Sequence, residues 1–148
     1  MFKKGRISRK KMHEIKLKPL KGYKVFNNVF ENGYKLRTSK ALAVFCRKPC
    51  SCITKYAGDD TVYYGVTISK KAAHKAVTRN RVRRLLREGI RLAFNELGIK
   101  NVSFDAFVIV WRHAPTRTND IHLETVQGQV KELILKAEKK FSGGEQNA

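Results

Sequence analysis

The segment that decides this fold is KKAAHKAVTRNRVRRLLREGIR, residues 70–91, which carries nine Lys or Arg and a single acid, Glu88. On a helix, at about 100° per residue, four polar side chains share one narrow stripe: Asn80, Arg84, Arg87 and Arg91. Five small or apolar residues lie on the opposite side: Val82, Leu85, Leu86, Gly89 and Ala93. The spacing therefore predicts a helix over about 75–97 that docks one face on a core and presents the other to a polyanion.

The remaining positive charge is also concentrated. The chain has 148 residues, with 32 Lys or Arg against 12 Asp or Glu, and a formal net charge of +20. Residues 1–24 carry nine net positive charges and residues 70–91 carry eight, which is 17 of the 20. A solvated basic face is the ordinary explanation of a charge run, but mixed signs serve solubility better than one sign. Nucleic acid is the leading partner class, ahead of a membrane surface, since the basic segment lacks Trp and Phe until Phe94.

Length and composition predict one domain, residues 17–141, between a basic disordered arm at 1–16 and a disordered tail at 142–148. No apolar run is long enough to cross a membrane, and the N-terminus lacks the apolar stretch of a secretory signal. Three cysteines are present: Cys46, Cys50 and Cys52. Their odd number and their spacing do not match a structural zinc site, so they predict free thiols in a reducing cytoplasm.

Hydrophobic periodicity predicts an α+β domain. The predicted helices are Gly22–Asn32, 75–97 and Asp120–Phe141; the predicted strands are 41–47, 61–68 and 104–111, with an extra short strand near Tyr34–Arg37. In the second strand, Val62, Tyr64, Val66 and Ile68 share one face. The third, FDAFVIVW, is almost continuously apolar, as expected of a strand covered on both sides. The expected architecture is a two-layer sandwich of about four strands and three helices.

The sequence offers no protein-borne active site. The twelve acids are scattered, and the adjacent pair Asp59–Asp60 falls in a loop beside Gly58, where a turn is the ordinary explanation. The four histidines each stand alone, and no glycine-rich phosphate loop is present. The chain is therefore expected to bind rather than to catalyse, with no catalytic residue and no metal site.

Aromatic residues of the first helix are a second candidate for binding. Tyr23, Phe26 and Phe30 recur at helical spacing, which taken alone is more typical of a core row. Val25 and Val29 already supply a neighbouring core row, which would leave the rings at the edge of a cleft where they can stack on unpaired bases. Asn80 has two interpretations as well: a local cap, or an amide that contacts RNA among the arginines.

At this point the motifs resemble a known family. The residues S-K-K at 69–71 and K-A-V-x-R-N-R-x-R-R-L-L-R-E at 75–88 are similar to the signature of the bacterial ribonuclease P protein family. V-F-x-x-V-F-x-x-G at 25–33 resembles its first helix, GVTISKK its strand leading into the motif, and FDAFVIVWRHAP at 104–115 its last strand. The similarity covers roughly residues 17–140. The chain departs from the family in AAHK, one residue longer than the shorter version, and in a long hairpin loop around Cys50.

The resemblance implies a function and an assembly. In that family an RNA hydrolyses precursor tRNA with Mg²⁺ and releases the 5′ leader, and the small protein improves substrate and metal binding. It therefore implies an accessory subunit of an endoribonuclease, acting in the cytoplasm. The expected partners are the catalytic RNA and the precursor tRNA, with no membrane and no required protein partner. It also implies a left-handed β-α-β crossover, against the usual right-handed rule.

The resemblance also implies which residues bind. The expected RNA-binding set is Lys70, Lys71, Lys75, Arg79, Asn80, Arg81, Arg83, Arg84, Arg87 and Arg91. The expected cleft for the single-stranded leader lies between the first helix and the sheet: Phe26, Phe30, and Val44 or Phe45, according to strand register. Two other classes stay open on charge alone, a ribosomal or RNA-chaperone protein and a DNA-binding protein with an arginine helix in the major groove.

Overall fold

A computed structural model of the chain describes residues 15–47, 61–69, 71–98, 104–112 and 121–147. Five strands and three helices occur within these ranges, in the order β1 Lys16–Pro19, α1 Tyr23–Asn32, β2 Tyr34–Arg37, β3 Ala41–Arg47, β4 Thr61–Ile68, α2 Ala76–Leu97, β5 Phe104–Trp111 and α3 Leu123–Asn147. The α+β class, the three helices and the predicted strands are confirmed.

The strands form one mixed sheet in the order β1-β4-β5-β3-β2. β4 is parallel to both β1 and β5, whereas β3 is antiparallel to β5 and to β2. Because parallel neighbours need a crossover connection, α2 joins β4 to β5 as a β-α-β unit. The predicted crossover is therefore present, and its left-handedness stays a prediction.

The sheet carries helices on both faces rather than on one. The main core joins β3, β4 and β5 to α2 and α3, and it contains Phe45, Phe107, Leu86 and Leu133. A smaller cluster on the opposite face joins Val29 of α1 to Cys46, Ala106 and Val108. Successive residues of a strand point to opposite faces, so β5, apolar at almost every position, can fill both clusters. The predicted two-layer sandwich is thus extended by α1 as a partial third layer.

Two glycines end the first two helices, for different reasons. Gly98 follows α2 with φ +62° and donates its N–H to the carbonyls of Phe94 and Asn95, which is a left-handed cap. Gly33 follows α1 with an ordinary φ of −82° and donates to Val29 O at 2.9 Å. A Cβ on Gly33 would collide with Val44 Cγ1 and approach Val29 O to 2.8 Å. Gly33 therefore lets the end of α1 lie directly on β3.

Three further expectations, about strand number, helix length and the cysteines, differ from the structure. β1 makes the sheet five-stranded, because Lys16–Pro19 becomes a strand only by pairing with β4, which its four residues do not reveal. α3 continues to Asn147, past the predicted end at Phe141 and through the consecutive glycines 143 and 144. Cys46 is disulfide-bonded, so the prediction of three free thiols is wrong for this residue. The predicted arm lies outside the described residues up to residue 14.

Candidate nucleic-acid interface

α2 has an apolar side and a basic side. Its buried residues are Thr78, Val82, Leu86, Gly89, Ile90, Ala93 and Phe94. The stripe on the other side is exposed at Asn80, Arg84, Arg87 and Arg91. Leu85, expected on the core side, is only half-buried. The helix thus has the two faces that its periodicity predicts, and the basic one reaches solvent.

Contact with α3 fixes the orientation of α2. A Cβ on Gly89 would lie 3.3 Å from Val126 Cγ1, so glycine permits close packing of the two helices. At the far end of α2, Glu96 accepts from Lys131 Nζ at 2.8 Å and from Gln127 Nε2 at 2.6 Å. The hydrogen bond from Lys131 lowers the pKa of Glu96. This acid is therefore paired with α3 and does not neutralise the basic stripe.

Two arginines of the expected RNA-binding set hold backbone carbonyls within the fold. Arg79 Nη1 donates to the carbonyl oxygens of Ala73 at 3.0 Å and His74 at 2.8 Å, in the turn that enters α2. Arg81 Nη2 donates to Ile121 O at 3.1 Å, just before α3, and its Nε is buried without a partner. Both side chains are half-buried. These two arginines position their neighbours, although their charge still adds to the local field.

Two more members of the set pair with each other. Asn80 Oδ1 accepts a hydrogen bond from Arg83 Nη1 at 3.0 Å. The N-cap residue of α2 is Lys75, so Asn80 lies within the helix and does not cap it. The capping interpretation of Asn80 is therefore wrong, and its exposed amide group faces solvent beside Arg83 and Arg84.

Arg91 is an ion-paired member of the stripe. Its guanidinium binds both carboxylate oxygens of Glu88, one turn earlier. The hydrogen bond from Arg91 lowers the pKa of Glu88, and the same bond raises the pKa of Arg91. The Glu88 carboxylate thus offsets the charge of Arg91.

Within the expected RNA-binding set, four exposed cations have no side-chain hydrogen bond or ion pair to another described residue: Lys71, Lys75, Arg84 and Arg87. Lys71 and Lys75 flank the start of α2, whose first turn contains no acid. Cations at a helix N-terminus interact unfavourably with the helix dipole. Lys71 and Lys75 therefore do not stabilise the isolated helix, and a bound anion would offset their charge. Lys70 lies outside the described residues.

The opposite face of the sheet holds the aromatic residues of α1. The ring of Phe26 lies against Gly65 of β4, where an added Cβ would approach Phe26 Cε2 to 2.9 Å. Phe30 lies at the β2 side, with Lys35 Nζ 5.9 Å from its ring centroid. Both rings are half-buried, whereas Val29 between them is fully buried. The side chain of Tyr23 lies outside the described part of the chain.

The two strand residues expected in the cleft have no exposed surface. Phe45 is fully buried on the face away from α1, with its ring stacked on Phe107 at 5.2 Å between centroids. Val44 is on the α1 face but is fully buried beneath Gly33. A shift of one residue along a strand moves a side chain to the other face of the sheet. A prediction uncertain by one residue therefore could not say which of Val44 and Phe45 faces α1. Both are corrected to core residues.

Other residues of the α1 face are accessible and were not predicted. Tyr63 packs against the small cluster and is half-buried, as are Thr67 and Val110. The pattern in β4 contained the signal, because Val62, Tyr64, Val66 and Ile68 on one face leave Tyr63 and its alternate neighbours on the other. Exposed lysines flank this face at both edges of the sheet, with Lys18 beside Tyr63 and Lys35 beside Val44.

Two kinds of feature are absent from the part of the chain that the structure describes. No three His, Cys, Asp or Glu side chains converge in that part of the chain. None of its helices is both long and apolar enough to cross a membrane. The described surface is thus a basic helix face on one side and an aromatic face with flanking lysines on the other.

Several known proteins are similar to this chain in sequence or in fold. A curated relative, the ribonuclease P protein component of Rickettsia rickettsii (strain Sheila Smith), is 29% identical over 119 residues, covering 79% of this chain and 94% of its own. The RNase P protein from Thermotoga maritima superposes with a TM-score of 0.59 at 20% identity, covering 80% of this chain and 96% of its own. The Staphylococcus aureus RNase P protein gives 0.56 at 20% identity, covering 83% and 96%.

The family model described as Ribonuclease P matches residues 16–138, which includes every strand and most of α3. The match spans both the basic helix face and the aromatic face. The chain belongs to the Ribonuclease P family.

Proposed function

We propose that this protein is the protein subunit of ribonuclease P, which binds the catalytic RNA and the 5′ leader of precursor tRNA and promotes removal of the leader. Family membership supports a role in tRNA processing within an endoribonuclease complex. The observation that carries the RNA-binding part is the set of unpaired cations on α2 and at its start. They form a surface of one sign along α2 and the turn before it, which suits a phosphate backbone.

The chemistry is assigned to the RNA. A two-metal hydrolysis needs acids that converge on one point, and the described residues offer no such group. We therefore assign the Mg²⁺ of the reaction to the RNA and precursor tRNA, and we assign to this chain the positioning of both. The proposed compartment is the cytoplasm, and no further protein partner is required.

The α1 face is the proposed leader site. A single strand can place bases against Phe26 and Tyr63 while its phosphates approach Lys18 or Lys35 at the edges. Stacking on aromatic rings tolerates any base, which suits leaders of varied sequence. The rigid sheet beneath Phe26 holds the ring in place, because Gly65 brings the backbone directly under it.

Reconstitution tests the whole proposal. The purified protein, freed of RNA, is combined with its cognate ribonuclease P RNA transcribed in vitro, and cleavage of precursor tRNA is followed at limiting Mg²⁺. We expect the protein to lower the Mg²⁺ requirement and to raise kcat/KM, and to cleave nothing by itself. If adding the protein leaves the cleavage rate of the RNA alone unchanged, or if the protein stimulates unrelated structured RNAs equally, the protein is instead a general RNA chaperone.

A second experiment tests the leader site. Phe26→Ala should weaken holoenzyme affinity for precursor tRNA by about 1–3 kcal/mol, the range for one stacking contact, and leave mature tRNA unaffected. Val29→Ala is the matched control, because that residue is buried in the same helix and its truncation should lower Tm without changing the leader-dependent gap. If the gap persists in Phe26→Ala while Tm falls, the ring belongs to the core.

A further inference from the structure

A groove of about 640 Å³ lies beside α2, between that helix and strands β1 and β4. It is on the opposite face of the sheet from α1 and is therefore separate from the proposed leader site. Its existence follows from the packing, since α3 contacts α2 on the other flank and otherwise lies over β2 and β3. No described element covers the flank of α2 toward β1, and the groove lies there.

The walls of the groove combine apolar surface with arginines. Leu17 of β1, Tyr64 of β4 and the half-buried Leu85 of α2 supply apolar surface. Arg84 and Arg87, the two unpaired arginines of the stripe, stand at its edge, and the Glu88–Arg91 ion pair lies one turn further along. The groove thus carries net positive charge beside an apolar surface.

This combination selects a class of ligand. A regular RNA duplex presents phosphates and sugars, and would use the arginines but leave the apolar wall uncovered. An unpaired nucleotide offers both parts, with a flat base for the apolar wall and phosphates on either side for the guanidinium groups. The volume is within the range of pockets that hold small ligands of this size.

We propose that the groove between α2 and β1 binds one unpaired nucleotide of the catalytic RNA. The base lies against Leu17, Tyr64 and Leu85, and its flanking phosphates bind Arg84 and Arg87. The groove would therefore recognise one particular unstacked nucleotide of the RNA, in addition to the general attraction between the protein and the RNA backbone. This inference rests on the proposed function, because it takes the catalytic RNA as the partner.

Filling the groove tests the inference. Leu17→Trp places an indole in it and keeps every arginine, and Leu135→Trp makes the same change at an exposed position on α3. We expect the Kd for the cognate RNA to rise about tenfold in Leu17→Trp only, within the range for losing one base contact. The salt dependence should stay at the wild-type slope, because the phosphate contacts remain. A folded Leu17→Trp protein with wild-type Kd would overturn the proposal.

Crosslinking keeps the test independent of the stability of that variant. Benzoylphenylalanine replaces Leu17 or, as control, Leu135, and the complex with the RNA is irradiated and the crosslinked nucleotides are mapped. Leu17 should give one or two unpaired nucleotides and Leu135 should not give the same ones. Crosslinks spread over duplex regions of the RNA would overturn the proposal. Crosslinks that form only within the protein, to residues 1–14 of the same chain, would also overturn it. Failure of the wild-type protein to bind the RNA would instead refute the proposed function.

Discussion

At the scale of the residue, the arginines of α2 are not equivalent. Arg79 and Arg81 bind carbonyls of the turn before α2 and of the segment before α3, and Arg91 is paired with Glu88. Arg84 and Arg87 are exposed and have no partner among the described residues. Nothing in the spacing of the motif distinguishes these roles, because the carbonyl that Arg81 binds belongs to residue 121.

A pair of alanine variants separates the two roles. Arg84→Ala should leave Tm unchanged and reduce the slope of log K against log salt by up to about one unit, the loss of one phosphate contact. Arg81→Ala should instead destabilise the fold by about 1 kcal/mol through the lost hydrogen bond to Ile121 O, lowering Tm by about 2–4 °C. Removing the unpaired Nε offsets part of that loss. Thermal melts and RNA titrations at several salt concentrations measure both effects, and equal behaviour of the two variants would contradict the division.

At the scale of the element, close approach decides which glycines are needed. Gly89 lets α3 pack on α2, Gly65 brings β4 beneath Phe26, and Gly33 seats α1 on β3. Gly128, in the exposed part of α3, has nothing within 4 Å of a built Cβ. The need for glycine at these three positions therefore comes from the close approach of a neighbouring helix or strand.

Gly89 of α2 and Gly128 of α3 provide an element-level prediction. Gly128→Ala should stabilise the protein by about 1 kcal/mol, because alanine is the better helix former and the site is open. The expected rise in Tm is about 2–4 °C. Gly89→Ala gains the same propensity but requires Val126, 3.3 Å away, to move, so it should be less stable than Gly128→Ala. Thermal melts of both variants are the measurement, and a greater gain for Gly89→Ala would mean that the helix interface is loosely packed.

At the scale of the whole molecule, the two faces of the sheet serve two parts of one proposed task. α2 and α3 cover one face and present cations and the groove, and α1 on the other presents half-buried rings. One sheet lies between them, so in the proposed complex a precursor tRNA leader and the catalytic RNA would bind on opposite faces of it. In that proposed complex, the net charge of +20 would attract both RNAs.

Salt dependence tests this molecular charge arrangement. With at least the four unpaired cations bound to phosphates, log K for the catalytic RNA should fall with log salt at a slope of about −3 or steeper. Raising monovalent salt from about 50 to about 200 mM at fixed Mg²⁺ should weaken binding on the order of 100-fold. Lys139→Ala, an exposed lysine of α3 away from the stripe, is the control and should not change the slope. A wild-type slope shallower than about −1 is the result that would contradict it.

The sequence by itself determined the helices, four of the strands and the two faces of α2, since these follow from periodicities of 3.6 and 2 residues within short windows. The tertiary structure alone decided that Lys16–Pro19 is a strand, that Phe45 faces the core, and that Tyr63 and the groove beside α2 are accessible. Lys16 pairs with Thr61, and Arg81 binds Ile121 O, so each of these facts depends on a partner far along the chain. A periodic pattern states which residues share a face, whereas exposure depends on which element covers that face, and that is set by long-range packing.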